Sequence, residues 1–249
     1  MNKQKTPEPT IRRRPALSRE TSLAQRAYTQ IREEILRGNF AVGDILSRRR
    51  LADQLNMSFL PITEALQRLE VEGLVESRPR IGTRVRIPTQ QDVLDSFIIR
   101  EALETQAARL SCANMTSKQR THILKSARHL DELYRASEAE ADDSPFLFSV
   151  RTYHMRFHMQ LAEFSQCAKL VRAIEREQVL IYNWFFDAAA HRTAFPANFH
   201  SNLAKAICSG KLETADSAMR EHVRWGLEGV KKTLANVEIE KGWRLKRAG

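Results

Sequence analysis

Between Ser47 and Leu74 the apolar positions follow a helical period twice, with a break between. Leu51, Ala52 and Leu55 recur at helical spacing. Asn56-Met57-Ser58 interrupts them, and Ile62, Ala65, Leu66 and Leu69 then define a second apolar face. The spacing predicts two short helices on a tight turn, over residues 48–55 and about 60–72. Ser47 suits the first N-cap, Asn56 tolerates the left-handed conformation of a sharp break, and Pro61 falls in a first turn where its missing N–H costs nothing. Residues 74–77 and 83–87 alternate like short strands, and Arg78-Pro79-Arg80-Ile81-Gly82 reads as the hairpin turn between them. Upstream, Leu23, Ala27, Ile31, Ile35 and Leu36 form one stripe over residues 21–38, closed by Gly38, and Val42-Gly43-Asp44 turns the chain into the helix pair.

Beyond Pro88-Thr89 the period is helical almost to the end. Helices are predicted near 90–114, 117–138, 146–165, 168–188, 197–209 and 213–236. Thr89 with Asp92 and Thr116 with Gln119 have capping-box spacing, Ser144-Pro145 reads as an N-cap followed by proline, and Gly210 closes a helix. Residues 137–144 form an acidic loop. The fold class is therefore mainly α. A disordered basic tail (1–20) precedes a winged helix-turn-helix domain (21–88), an all-helical bundle of six to seven helices (89–238) and a polar tail (239–249).

Charge sharpens this picture. The 249-residue chain carries a net charge of +10, and residues 1–90 hold 17 Lys and Arg against 10 Asp and Glu, while the remainder holds 23 against 20. The basic excess surrounds the helix pair, as a phosphate-binding module requires. An ordinary helical hairpin followed by a β-hairpin would share the hydrophobic pattern but has no need of the arginines. The tail carries Arg12-Arg13-Arg14 and reads either as an arm for the DNA backbone or minor groove or as a solvated segment, with an organelle-targeting peptide as a weaker alternative. Cys112, Cys167 and Cys208 are odd in number and lack a CxxC, which fits buried thiols in a reducing cytoplasm. No apolar run approaches membrane-spanning length and the N-terminus has no apolar signal core, so the expected location is the bacterial cytoplasm, at the nucleoid.

Residues 22–88 resemble the DNA-binding domain of the GntR family of bacterial transcription regulators. The resemblance lies in AYTQIREEILRGNF, AVGDILS, RRLADQLNMS, Pro61 and EALQRLEVEGLVESRPRIGTRV. It implies a homodimer that places two recognition helices in a palindromic double-stranded operator. Arg49 matches a family DNA contact. Where family members usually carry arginine after the turn serine and four residues later, this chain has Phe59 and Thr63, so the usual operator is not implied. The candidate DNA-binding residues are Arg48, Arg49, Arg50, Ser58, Phe59, Thr63, Gln67, Arg68, Arg78, Arg80 and Gly82. Arginines would meet phosphates or base edges, Phe59 a thymine methyl, and Thr63 or Gln67 a base edge.

The helical half is similar to the FCD ligand-binding domain of FadR-type GntR regulators, through Arg100-Glu101-Ala102-Leu103-Glu104, Phe157-His158, His200 and residues 215–222. Many members bind a divalent metal with an Asp and three His; the Asp position here is His154, and the others carry over as His158, His200 and His222. His154 and His158 stand at i and i+4, so one cation can bridge their rings, although seven histidines in the chain will sometimes give such a pair by chance. Four imidazoles favour a divalent transition metal, Zn or Ni foremost, over Mg or Ca. The resemblance assigns Arg100 to a small carboxylate effector, for which its guanidinium fork is suited; an ion pair with Glu101 or Glu104 is the alternative. The expected function is an effector-controlled transcription regulator, more in keeping with a repressor. Alternatives are a metal-free effector-binding regulator and a helical metalloenzyme with a DNA-binding domain. The latter is disfavoured because His154-Met155-Arg156-Phe157-His158 lacks a glutamate after its first histidine.

Overall fold

The computed structural model describes residues 22–138, 145–186 and 195–235. The basic tail, residues 139–144 of the acidic loop with its Ser144 cap, and the polar C-terminal tail lie outside the described residues.

The N-terminal unit comprises α1 (Leu23–Leu36), α2 (Arg48–Leu55), α3 (Phe59–Val71), β1 (Val75–Arg78) and β2 (Gly82–Val85). Ser22 starts α1 by accepting from the Gln25 backbone N–H at 3.1 Å. Ala27, Ile31 and Ile35 of α1 are buried with Ile62, Ala65, Leu66 and Leu69 of α3, so the two apolar stripes meet face to face. Leu23, placed in the α1 stripe by its spacing, is instead 52% exposed, because it is the first residue of the helix and starts before the packed turns. Ser47 caps α2 through the Arg50 N–H, and Asn56 takes φ 51, ψ 50, the left-handed turn between the two helices. Helix α3 begins at Phe59, one residue earlier than expected, behind Ser58 in extended conformation. Gly73, at φ +81, turns the chain from α3 into the hairpin, a conformation an L side chain rarely adopts.

Strands β1 and β2 pair antiparallel, with Val75 opposite Val85 and Arg78 opposite Gly82. Residues 44–46, read from sequence only as the exit of a turn, add a rung to this wing. Leu46 N–H donates to Thr83 O at 2.8 Å and Val85 N–H to Asp44 O at 2.9 Å.

The second unit contains α4 (Gln90–Asn114), α5 (Ser117–Ala136), α6 (Pro145–Phe164), α7 (Ala168–Phe186), α8 (Phe199–Cys208) and α9 (Leu212–Ala235), six helices among the described residues. Both capping boxes form, Thr89 with Asp92 on α4 and Thr116 with Gln119 on α5. Helix α4 runs through the bundle, packing on α9, α6 and α7, while α5 packs on α8 and α6. Asp92 also accepts from Arg86 at 2.8 Å, so the first turn of α4 grips the end of the wing. Across the junction Arg32 of α1 approaches Glu175 of α7 at 3.4 Å, and Leu180 packs beside Gly73. Of the three cysteines only Cys112 is buried. Cys167 and Cys208 are partly exposed, one just before α7 and the other ending α8, where the covering turns run out.

Candidate DNA-binding face and histidine centre

On the N-terminal unit Arg48, Arg49, Arg50, Ser58, Phe59, Gln67, Arg68, Arg78, Arg80 and Gly82 are all exposed, and Thr63 is half-buried. Phe59, Thr63 and Gln67 follow one another at i+4 on α3, opposite the buried stripe. Phe59 is 58% exposed and its neighbour Leu60 67%. Thr63 Oγ1 donates to the Phe59 carbonyl at 2.9 Å. Arg80, at φ 65, and Gly82, at φ 93, shape the wing tip. The arginines are not equally free. Arg78 pairs with Glu76 at 3.1 Å, and Arg84 takes the same carboxylate. Arg68 is turned to α1, donating to Gln25 at 2.6 Å with its guanidinium 4.1 Å from the Tyr28 ring centre.

In the helical unit four histidines from three helices come together. His154 and His158 are one turn apart on α6, His200 lies in the first turn of α8, and His222 is in the middle of α9. The Nε2 atoms of His154 and His158 are 3.0 Å apart, those of His158 and His222 3.1 Å, and those of His154 and His200 3.3 Å. Ligating nitrogens of His154, His158 and His222 all lie within 4.8 Å of one another, and His200 joins at the edge through His154.

The opposite ring edges are held from behind. Glu104 of α4 accepts from His158 Nδ1 at 2.8 Å, and Asp131 of α5 accepts from His200 Nδ1 at 2.9 Å. A carboxylate only accepts, so both histidines carry a proton on Nδ1 and turn Nε2 inward. Tyr134 lies 2.6 Å from His154 Nδ1. His222 Nδ1 is buried and has no hydrogen-bond partner among the described residues. Its ring is instead stacked by Phe199, with centroids 4.4 Å apart.

The electrostatics favour the neutral form of His154, His200 and His222. Burial, then the neighbouring histidines, pushes the His154 and His222 pKa values well below the ordinary value. Burial also lowers that of His200, against the opposing pull of Asp131. Burial by itself would raise the Glu104 carboxyl, but Arg100 and His158 outweigh it and hold it at about 2. Asp131 is likewise held at about 2, its burial overcome by hydrogen bonds from His200 and Ser201.

Neutral imidazoles with inward lone pairs are the protonation state a metal needs. An ion about 2.0–2.1 Å from tetrahedral nitrogens would set them about 3.3 Å apart. The contacts of 3.0 Å from His154 to His158 and 3.1 Å from His158 to His222 come near that spacing, whereas His200 approaches only His154, at 3.3 Å, and stands outside the group of three. Arg100, assigned to the effector by resemblance, donates through Nε to Glu104 at 2.7 Å, so the ion pair weighed as the alternative forms. It thereby stands one carboxylate away from His158.

Sequence reading did not find Asp131 and Tyr134, nor the aromatic wall of Phe195, Phe199 and Trp225, whose rings lie 4.7–5.5 Å apart. Tyr134 follows Asp131 by three residues on α5, so one face carries both supports; that spacing was the available signal. The side chains of Trp184 and Phe186 lie outside the described part.

Comparison with known proteins agrees with both units. Residues 23–85 match the family "Bacterial regulatory proteins, gntR family" and residues 95–224 the FCD domain. The chain is 29% identical over 204 residues to a "Probable D-xylose utilization operon transcriptional repressor" of Paenarthrobacter nicotinovorans, covering 82% of this chain and 86% of that one. It is 25% identical to the "HTH-type transcriptional repressor GlaR" of Escherichia coli, covering 84% of this chain and 96% of the other. The solved structure of E. coli McbR/YncC superposes with a TM-score of 0.69 at 19% identity, over 85% of this chain and 98% of that one, which shows a shared fold. No helix among the described residues is long and apolar enough to cross a membrane. With a winged helix-turn-helix in front and an FCD bundle behind, this chain belongs to the GntR family of bacterial regulatory proteins, as a transcription regulator rather than an enzyme.

Proposed function

We propose that this regulator is a homodimeric repressor of a palindromic operator, and that its DNA affinity is set by a small carboxylate at a transition-metal centre on His154, His158, His200 and His222. The observation that carries the reading is the convergence of inward ring nitrogens, two of them backed by carboxylates. Zn and Ni suit a set of neutral imidazoles. When bound, the ion would offer a Lewis-acid position to a carboxylate oxygen. Arg100 holds Glu104 through Nε with its guanidinium 5.1 Å from the Phe97 ring centre, and among the described residues its terminal Nη atoms have no hydrogen-bond partner, which leaves its fork to meet an anion. On DNA, Arg48, Arg49, Arg50, Arg78 and Arg80 would neutralise phosphates, while Phe59, Thr63 and Gln67 face the major groove. Arg68, held by Gln25 and Tyr28, would act from the side of the recognition helix.

Both relatives named above are called repressors, which supports that sign of regulation. Coupling to DNA would run along α4, which touches the wing through Asp92 and the histidines through Glu104. The test is elemental analysis of protein purified without chelator and without a nickel column, followed by operator titration. About one Zn or Ni per chain is expected, absent from the His154→Ala/His158→Ala variant. Metal-free protein that binds its operator and responds to effector would refute the centre. Arg49→Ala should weaken operator binding at least tenfold; unchanged affinity would remove its assigned role.

A further inference from the structure

Helix α4 is covered on three sides and open on the fourth. Phe97 meets α9 beside Gly226, Glu104 faces His158, and Ala107 packs with Ala162 and Ile174. The remaining face carries Asp95, Ile98, Ala102, Gln106 and Arg109, in steps of three and four residues. Ile98 is 66% exposed and Ile99 beside it 46%. Single exposed apolar residues are ordinary, but this strip joins two adjacent isoleucines to an exposed alanine. The strip has a charge at each end. Asp95 and Arg109 have opposite signs and stand seven residues on either side of Ala102. Among the described residues no carboxylate pairs with Arg109, and Asp95 accepts only from the neutral Gln91.

We propose that this face binds the same face of a second copy of the chain, α4 running antiparallel to its mate with the two-fold axis at Ala102. With the axis there, the residue seven before it meets the residue seven after it. Asp95 of each chain therefore opposes Arg109 of the other, and both pairs form at once. Parallel packing would instead set Asp95 against its own copy. Ala102 at the crossing has the small side chain that lets two helices approach closely. Ile98 and Ile99 would fill the spaces beside it, as apolar residues do at heptad spacing. The two charges are about 21 Å apart along the helix, enough to fix direction and register together. This placement rests on the homodimer proposed above and adds the face that forms it.

The test measures dimer dissociation of the full chain by sedimentation equilibrium, for the wild type, Asp95→Arg, Arg109→Asp and the doubly exchanged variant. Circular dichroism checks that each remains folded. Each single reversal sets like charges opposite one another twice and should weaken the dimer at least tenfold. The double exchange restores opposite signs and should return it to within about threefold of the wild type. Ile98→Arg, at the apolar centre, should give monomers. A wild-type dimer indifferent to the single reversals, or single losses that the double exchange does not restore, would overturn this face and leave the homodimer standing. A wild-type monomer, with and without operator, would overturn both.

Discussion

Replacing Asp131 by alanine tests how the histidine centre is built into the fold. Helix α8 carries His200 in its first turn, yet its own N-cap residue, Asn198, sits at φ 58 and makes no side-chain cap bond. Asp131 takes that role from α5. Its Oδ1 accepts from the His200 backbone N–H at 3.0 Å and from His200 Nδ1 at 2.9 Å, and its Oδ2 accepts from the Ser201 N–H at 3.0 Å. The substitution leaves three buried donors unsatisfied. Hydrogen bonds to a charged group contribute about 1.5–3 kcal/mol each and share one carboxylate here, so the expected loss is about 3–4 kcal/mol. The effect depends on pH in a definite direction. The folded-state pKa is about 2 against an ordinary 3.8, so the stabilisation is fully present above the ordinary value and is lost as pH falls through about 2. At about 1.4 kcal/mol per unit, and reduced for solvent screening, the pH-dependent share is about 1–2 kcal/mol. Urea unfolding followed by circular dichroism, with chelator throughout, measures both quantities. A loss under about 1 kcal/mol at neutral pH, or a difference between wild type and variant that does not narrow below pH 4, would refute the reasoning.

Glu104→Gln keeps the shape behind His158 but removes the charge that orients its ring and neutralises Arg100; zinc affinity should fall about 10–100-fold in competition with a chromogenic chelator, with helicity unchanged. Unaltered affinity would show that Glu104 is only a structural ion-pair partner. Leu69 is fully buried between α1 and α3. Leu69→Ala should cost about 2–5 kcal/mol in urea unfolding and lower operator affinity through loss of folded domain rather than loss of contacts; a cost under 1 kcal/mol would contradict that packing.

The elements were legible because their signals are local. Ser47, Asn56, Thr89-Asp92 and Thr116-Gln119 act within three or four residues of themselves, and each cap or turn stands where its spacing placed it. The helix-turn-helix stripe was readable for a similar reason: a 3.6-residue period on two adjacent helices has one economical way to be buried. His154 and His158 were legible as a pair, being one turn apart on one helix.

Sequence alone therefore determined the two units, the order and type of their helices, and which residues were candidates for DNA and metal. Tertiary structure decided how those candidates are supported and directed. It drew His200 and His222 to within 3.1–3.3 Å of the α6 pair, from positions more than forty residues later in the chain. It set Glu104 and Asp131 behind the rings and turned Arg68 onto Tyr28. None of these has a periodic or local signature. Each depends on which faces of distant helices are opposed once the core closes, and many sequence spacings are compatible with the same crossing of two helices.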